Sequence, residues 1–382
     1  MIGAALFALL VSAAAWLVRR ISPHASGSGI PDVEAVVADR VRPPSAMRLI
    51  PVKFAGGVLA IGSGLALGRE GPSVQMGASA GHLLSELTGR SWPDTRMLIA
   101  AGAAAGLATA FNAPLAGAIF VLEEVYKRFE IPIATAALGA SAAAITVSRL
   151  MLGDAPDFQV APIPVVAHEV KPLFFVLGLL SGFLAVIYNA MLLGALSIGD
   201  RLSRFPVELR AGVVGAAVGS LAWFFPAAVG GGDPITQSLL TGAGTLASLP
   251  ALYAMRLLLS TVSYAAGTPG GLFAPMLVLG AQSGLFFGLA AEALLPGIGI
   301  HPVSFAVVGM ASIFAGIVRA PLTGIVLTLE MTADVTLLLP MLAACFTAMV
   351  VPTLLGSAPI YDSLRDRSLR QSTDQTAHRT EH

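Results

Sequence analysis

The sequence predicts an all-α polytopic membrane protein built as two repeats of broken helices, and three observations carry that reading. First, the 382-residue chain is 55% hydrophobic and only 12% charged, with a mean hydropathy of +0.81, where a soluble domain carries about 25% charged residues. Second, roughly a dozen apolar stretches run along the chain, and glycine or proline cuts many of them short of the ~20 residues a clean span needs. Such breaks are tolerated at membrane depth only where the irregular backbone is buried in protein or lines a cavity.

The third observation is internal repetition. Pro72-x4-Gly77-Ala78-x2-Gly81 matches Pro275-x4-Gly280-Ala281-x2-Gly284, with 275 − 72 = 203. Gly29-Ile30-Pro31 matches Gly232-Asp233-Pro234, with 232 − 29 = 203. Ala113-Pro114-Leu115-x-Gly117-x5-Glu123 matches Ala320-Pro321-Leu322-x-Gly324-x5-Glu330, with 320 − 113 = 207. Duplicated, Gly/Pro-interrupted apolar segments point to a transporter whose site lies where the repeats meet.

Taken in order, Met1–Val18 is a first span, because Arg19 and Arg20 follow it and a signal peptide carries its charge in front. Further positive clusters (Arg40, Arg42, Arg48 and Lys53; Lys127 and Arg128; Arg201, Arg204 and Arg210; Arg365, Arg367 and Arg370) mark cytoplasmic loops and a cytoplasmic tail. Gly153–Lys171, with Asp154, Asp157, His168 and Glu169, is polar with little positive charge and reads as an external connector. The expected organisation is therefore a first transmembrane repeat at 1–152, a connector at 153–171, a second repeat at 172–356 and a tail at 357–382. Its place is the cell membrane, as a multi-pass protein. Cys345 is the single cysteine, which excludes an internal disulfide and a cysteine-based metal site. The formal net charge is zero and singles out no partner; no cofactor, metal or nucleic acid is expected.

Three breaks share one design. Gly27-Ser28-Gly29-Ile30-Pro31, Gly68-Arg69-Glu70-Gly71-Pro72 and Gly270-Gly271-Leu272-Phe273-Ala274-Pro275 each pair glycine, which lets backbone approach closely, with a proline suited to the first turn of a helix. Helix N-termini offer free N–H groups and partial positive charge to an anion. A permeant ion must bind well enough to enter and weakly enough to leave, which amides serve better than a lysine. Glu70 lies in the second break, where a membrane-depth carboxylate costs roughly 2.5–3.5 kcal/mol and marks function. Its carboxylate competes with a free anion for the same N-termini.

These segments, with Phe111–Gly117, Arg319–Gly324 and Tyr361, resemble the signatures of the CLC chloride channel/transporter family, over about Arg19 to Tyr361. The resemblance implies inverted repeats of tilted, unequal helices, a homodimer with one anion pathway per subunit, and chloride and protons as the transported species. It implies that Ser28, in Ser28-Gly29-Ile30, donates its hydroxyl to a central anion and favours chloride over nitrate. Tyr361 resembles the tyrosine whose phenol meets the same ion, forming an inner constriction with Ser28. Leu272 and Phe273 would lend backbone N–H groups, and Phe273 would also line the outer path. Arg69 and Gly71 frame Glu70, which resembles the external gating glutamate. Glu124 resembles the inner proton-transfer glutamate of coupled exchangers. Only about 26 residues precede the first motif, enough for one span, where the family usually adds a cytoplasmic helix and a long membrane helix.

The remaining polar candidates carry less. Glu123 is expected to be structural, as its mate Glu330 stands without a second glutamate. Lys53 either biases the inner vestibule positively or snorkels. Arg256 and Arg319 are expected to hold carboxylates or carbonyls, Asn112 to secure a helix break, and His82, His301 and Phe120 to serve packing or loops. A rival class, an intramembrane hydrolase, would use Ser28 or Ser63 as nucleophile with His82 as base, which requires hydrogen-bond reach. Within transport the rivals are a passive chloride channel, which Glu124 disfavours, and a fluoride-selective member, which Ser28 and the Gly68–Pro72 form disfavour.

Overall fold

In a computed structural model, residues 2–153 and 156–380 are described, without the side chains of residue 2 and of 371–380; Met1, Asp154 of the connector and the last two residues of the tail lie outside the described residues. The described chain forms α-helices and no strand. In order these are α1 (Ile2–Ile21), α2 (Ile30–Val37), α3 (Ala46–Gly62), α4 (Glu70–Leu87), α5 (Trp92–Phe111), α6 (Pro114–Phe120) and α7 (Ile131–Leu152). After the connector come α8 (Lys171–Arg201), α9 (Val207–Phe224), α10 (Asp233–Leu240), α11 (Leu249–Ala265), α12 (Phe273–Leu294) and α13 (Pro302–Val318). The chain closes with α14 (Pro321–Thr332), α15 (Leu338–Leu354) and α16 (Ile360–Thr380).

Helix lengths are uneven for a physical reason. Among the described residues, five helices (α1, α7, α8, α9 and α12) are long and apolar enough to cross a membrane. In contrast α2 and α10 have eight residues each, because each starts at a left-handed glycine, Gly29 (φ 81°) and Gly232 (φ 112°), inside the protein. α5 and α13 likewise stop at left-handed residues, Asn112 and Arg319, before the prolines that open α6 and α14. The Asn112 side chain accepts from Arg149 Nε at 2.9 Å, so it secures the break as expected.

Close helix packing uses matched small residues. A Cβ on Gly77 would lie 2.2 Å from the Gly102 carbonyl, and one on Gly280 2.5 Å from the Gly309 carbonyl. The pairs α4–α5 and α12–α13 therefore meet backbone to backbone, and both belong to the duplicated motifs.

The two halves also exchange caps. The Glu123 carboxylate accepts from the N–H groups of Leu322 (3.1 Å) and Thr323 (2.7 Å), which open α14. Glu330, near the end of α14, accepts from Leu115 (3.1 Å) and Ala116 (2.7 Å), which open α6. Each helix thus places its own C-terminal end beside the other's start, so α6 and α14 run antiparallel. Glu123 is structural, and its mate is its counterpart in the same task. Glu123→Gln should destabilise the protein by about 1–2 kcal/mol, because an amide N–H then faces a backbone N–H; a thermal melt in detergent measures the loss.

Lys53 departs from both expectations. It is fully buried, and its ammonium donates to the carbonyls of Ala25 (3.1 Å) and Gly27 (2.8 Å). It neither snorkels nor presents its ammonium to a vestibule; it holds the irregular backbone ahead of α2. Arg256, with 256 − 53 = 203, does the same ahead of α10, donating to Ala228 (3.0 Å), Gly230 (2.9 Å) and Gly231 (3.0 Å). Carbonyls left free by a break at membrane depth need such donors. Arg319 donates to Gly316 (2.8 Å) and Ser357 (2.9 Å), again to carbonyls.

Candidate functional site

The three breaks meet. Gly68 N–H donates to Gly271 O at 2.8 Å and Gly271 N–H to Gly68 O at 2.7 Å. With 271 − 68 = 203, one motif pairs with its own copy, and the starts of α4 and α12 lie side by side. Gly27 joins the same patch: its N–H donates to Thr268 O and its carbonyl accepts from Gly270, both at 3.0 Å. Gly71 closes the third side, for a Cβ there would lie 2.3 Å from Ser28 Oγ and 2.9 Å from Ser28 O. Glycine at 71 is what lets α4 start against Ser28.

Into this place project polar groups without partners. Ser28 and Tyr361 are fully buried, and neither the Ser28 Oγ nor the Tyr361 hydroxyl has a hydrogen-bond partner. A buried unpaired hydroxyl is costly and calls for an explanation. The Ser28 N–H is already taken, donating to the Tyr264 hydroxyl at 3.4 Å. Glu70 is 2% exposed, and its side chain curls back so that Oε2 occupies the space a Cβ on Gly68 would fill. The backbone N–H groups of Glu70 itself and of Ala274 face its carboxylate, while Oε2 has no partner. The carboxylate thus sits at the N-termini of α4 and α12 together.

Aromatic rings wall the pocket. Phe273 opens α12, and its ring lies 6.2 Å from that of Tyr361 between centroids. Phe111 (5.7 Å), Phe120 (5.4 Å, edge-on) and Phe314 (4.8 Å) surround it. Phe120 is therefore helix packing that also fixes a pocket ring, which its position in the sequence did not reveal. Beside the glycines that flank Ser28, a cavity of about 300 Å³ is lined by residues that include Ser26, Gly27, Gly29, Asp32, Tyr264 and Arg367. Ile30 and Leu272 are fully buried at the starts of α2 and α12. Arg69, next to Glu70 in the chain, is exposed, unlike the buried hydroxyls.

Glu124 lies on a π-helical turn at Val121–Val125. Such turns recur at functional sites. Here the turn sends neighbouring glutamates to different duties: Glu123 caps α14, while Glu124 is 3% exposed with Oε1 unpartnered. It is not a solvated surface carboxylate balancing Lys127 and Arg128: Lys127 pairs with Glu34 and Asp362, and Arg128 stands 4.0 Å from Glu130.

The hydrolase reading fails on geometry. Ser63 Oγ donates to Leu59 O (2.6 Å) and Ala60 O (3.0 Å), and neither Ser28 Oγ nor His82 Nδ1 has a partner, while His82 Nε2 lies 3.9 Å from Glu86. The His301 carbonyl accepts from the Ser304 hydroxyl at 2.7 Å, which settles that residue at the start of α13. Gln75 and Tyr264 escaped the sequence reading. Gln75 presses on Gly29 and donates to His24 O at 2.9 Å, and no spacing rule marks either residue.

Fold and site together define a broken-helix membrane protein whose half-helix N-termini converge on a buried polar pocket. The chain belongs to the CLC family: the voltage gated chloride channel model matches residues 7–353. The H+/Cl− exchange transporter ClcA of Vibrio parahaemolyticus is 40% identical over 95% of this chain and 79% of its own. The protein of that name from Klebsiella pneumoniae is 38% identical over 97% and 80%. The solved structure of a slow cyanobacterial Cl−/H+ antiporter is 32% identical, with a TM-score of 0.93 over 97% of this chain and 88% of that one. A eukaryotic CLC transporter, 24% identical with a TM-score of 0.81 over 95% of this chain and 65% of its own, shares the fold. The all-helical, antiparallel architecture expected from the sequence is the one found.

Proposed function

We propose that the protein exchanges chloride for protons across the cell membrane, as a homodimer with one pathway in each subunit. The observation that carries this is the meeting of α2, α4 and α12 at one buried point, where the hydroxyls of Ser28 and Tyr361 lack partners and a carboxylate occupies the helix starts. Chloride accepts from the Ser28 and Tyr361 hydroxyls and from backbone N–H groups around Gly29, Ile30, Leu272 and Phe273. Glu70, framed by Arg69 and Gly71, takes the same N–H groups when ionised and releases them when protonated, so anion and proton compete for one carboxyl. Glu124 passes protons from the cytoplasm without touching the anion. Two repeats, at 1–152 and 172–356, joined by 153–171 and followed by a tail at 357–382, account for the paired motifs.

Exchange, rather than passive conduction, is favoured by the burial of Glu124 beside charged partners. The test is reconstitution in liposomes: an imposed chloride gradient should drive protons uphill, and chloride flux with no proton movement would refute exchange. Ser28→Pro removes one hydroxyl and the N–H that meets Tyr264, so the nitrate-to-chloride flux ratio should rise by about tenfold, the worth of one hydrogen bond to a charged group. An unchanged ratio takes Ser28 out of the selectivity filter.

A further inference from the structure

Among the segments whose positive charge predicts a cytoplasmic location, a second charged cluster lies outside the pocket. Lys127, three residues after Glu124, holds a left-handed backbone conformation (φ 56°) and places its ammonium 2.7 Å from Glu34 Oε1 and 2.5 Å from Asp362 Oδ1. Arg365 pairs with the same two atoms, reaching Asp362 at 2.9 Å; its outer side meets Asp366 at 3.1 Å. The Glu34 side chain is 2% exposed, so its two pairs are screened less than surface ones.

The positions of the partners give the cluster its meaning. Glu34 lies on α2, the helix whose start follows Ser28. Asp362 lies on α16, directly after Tyr361. The helix that follows the Ser28 hydroxyl and the helix that carries the Tyr361 hydroxyl are therefore clamped together by ion pairs, and Lys127 ties that clamp to the turn that carries Glu124. Burial alone would draw the Lys127 ammonium down, but the carboxylates of Glu124, Asp362 and Glu34 outweigh it and hold the group above its ordinary range. Glu124, three residues before Lys127 and buried on the adjoining turn, adds its field to the pull of the two paired carboxylates on that ammonium.

We propose that Lys127 is a positioning residue for coupled exchange: it makes closure of the Ser28–Tyr361 constriction follow the charge on Glu124. With Glu124 ionised, its charge draws the ammonium toward the turn and loosens its hold on Glu34 and Asp362. A proton on Glu124 leaves it wholly to Glu34 and Asp362, and the grip on α2 and α16 tightens. Chloride is then held back on the inner side while the proton is in transit. This rests on the exchange reading above.

The experiment compares purified full-length wild type, Lys127→Met, Lys127→Arg and Asp362→Asn in liposomes, with chloride and proton fluxes recorded together. Lys127→Met should keep or raise chloride turnover while protons moved per chloride fall about fivefold, the low end of ordinary coupling between sites. Lys127→Arg should restore the ratio. Asp362→Asn, which leaves Lys127 its Glu34 partner, should lower the ratio in the same direction and serves if Lys127→Met does not fold. A ratio unchanged in both variants, or chloride and proton fluxes falling in proportion, overturns the assignment. Wild type that moves no protons overturns the exchange reading instead, and this one with it.

Discussion

Glu70→Gln protein in liposomes should conduct chloride at a rate that no longer depends on pH and should move no protons against a gradient. The reasoning starts from the two helix starts that meet at this side chain. An ionised carboxylate accepts from the N–H groups of Glu70 and Ala274 and so stands where an anion would stand. Protonation removes the charge, weakens that hold and frees the donors. Wild-type chloride flux should accordingly rise as pH falls. Glutamine is neutral at every pH and has no proton to give, so the flux should be flat, and proton movement should drop by about 100-fold or more, the scale of losing a positioned proton-transfer group. Uphill proton transport persisting in this variant would remove Glu70 from the gate.

Glu124→Gln should give the complementary result: protons stop, with a loss of similar scale, while chloride still flows, slowed only by the tightened Lys127 clamp, and keeps its acid activation. The separation follows from position. Glu124 is buried on its π-helical turn and is no part of the meeting point of α2, α4 and α12, so its loss leaves the anion donors intact. Its packing role is small because Glu123, not Glu124, holds the start of α14. Equal loss of both fluxes would instead make Glu124 a structural residue. Recording the two ions in one vesicle preparation makes the comparison independent of how much protein is incorporated.

Much of this was legible in the chain because glycine and proline act locally. A Gly-x-Gly-Ile-Pro run or a Gly-Arg-Glu-Gly-Pro run ends one helix and starts another wherever it sits, so the breaks and the candidate residues Ser28, Glu70, Leu272 and Phe273 could be named from composition and resemblance. The offsets near 203 also foretold duplicated parts. What could not be read was which parts meet. The pairing of Gly68 with Gly271 joins residues about 200 positions apart, and it depends on how every intervening helix packs. Lys53 was misjudged for the same cause: its carbonyl partners exist only because the backbone before α2 is irregular. Glu34 carries no signal in the sequence and Arg365 reads only as one of the tail's positive charges, since a charge near a predicted cytoplasmic end looks like any solvated residue until its partner from the far end of the chain arrives. Phe120 looked like ordinary packing, and it is, but the ring it packs against lines the pocket.

The crossed caps of Glu123 and Glu330 bear on how the protein is made. As the nascent chain leaves the ribosome, α6 enters the bilayer long before the carboxylate that satisfies its first amides has been synthesised. Neither half can reach its finished form alone, so during biogenesis the early segments wait, with open amide ends, for the translation of α14 to complete them.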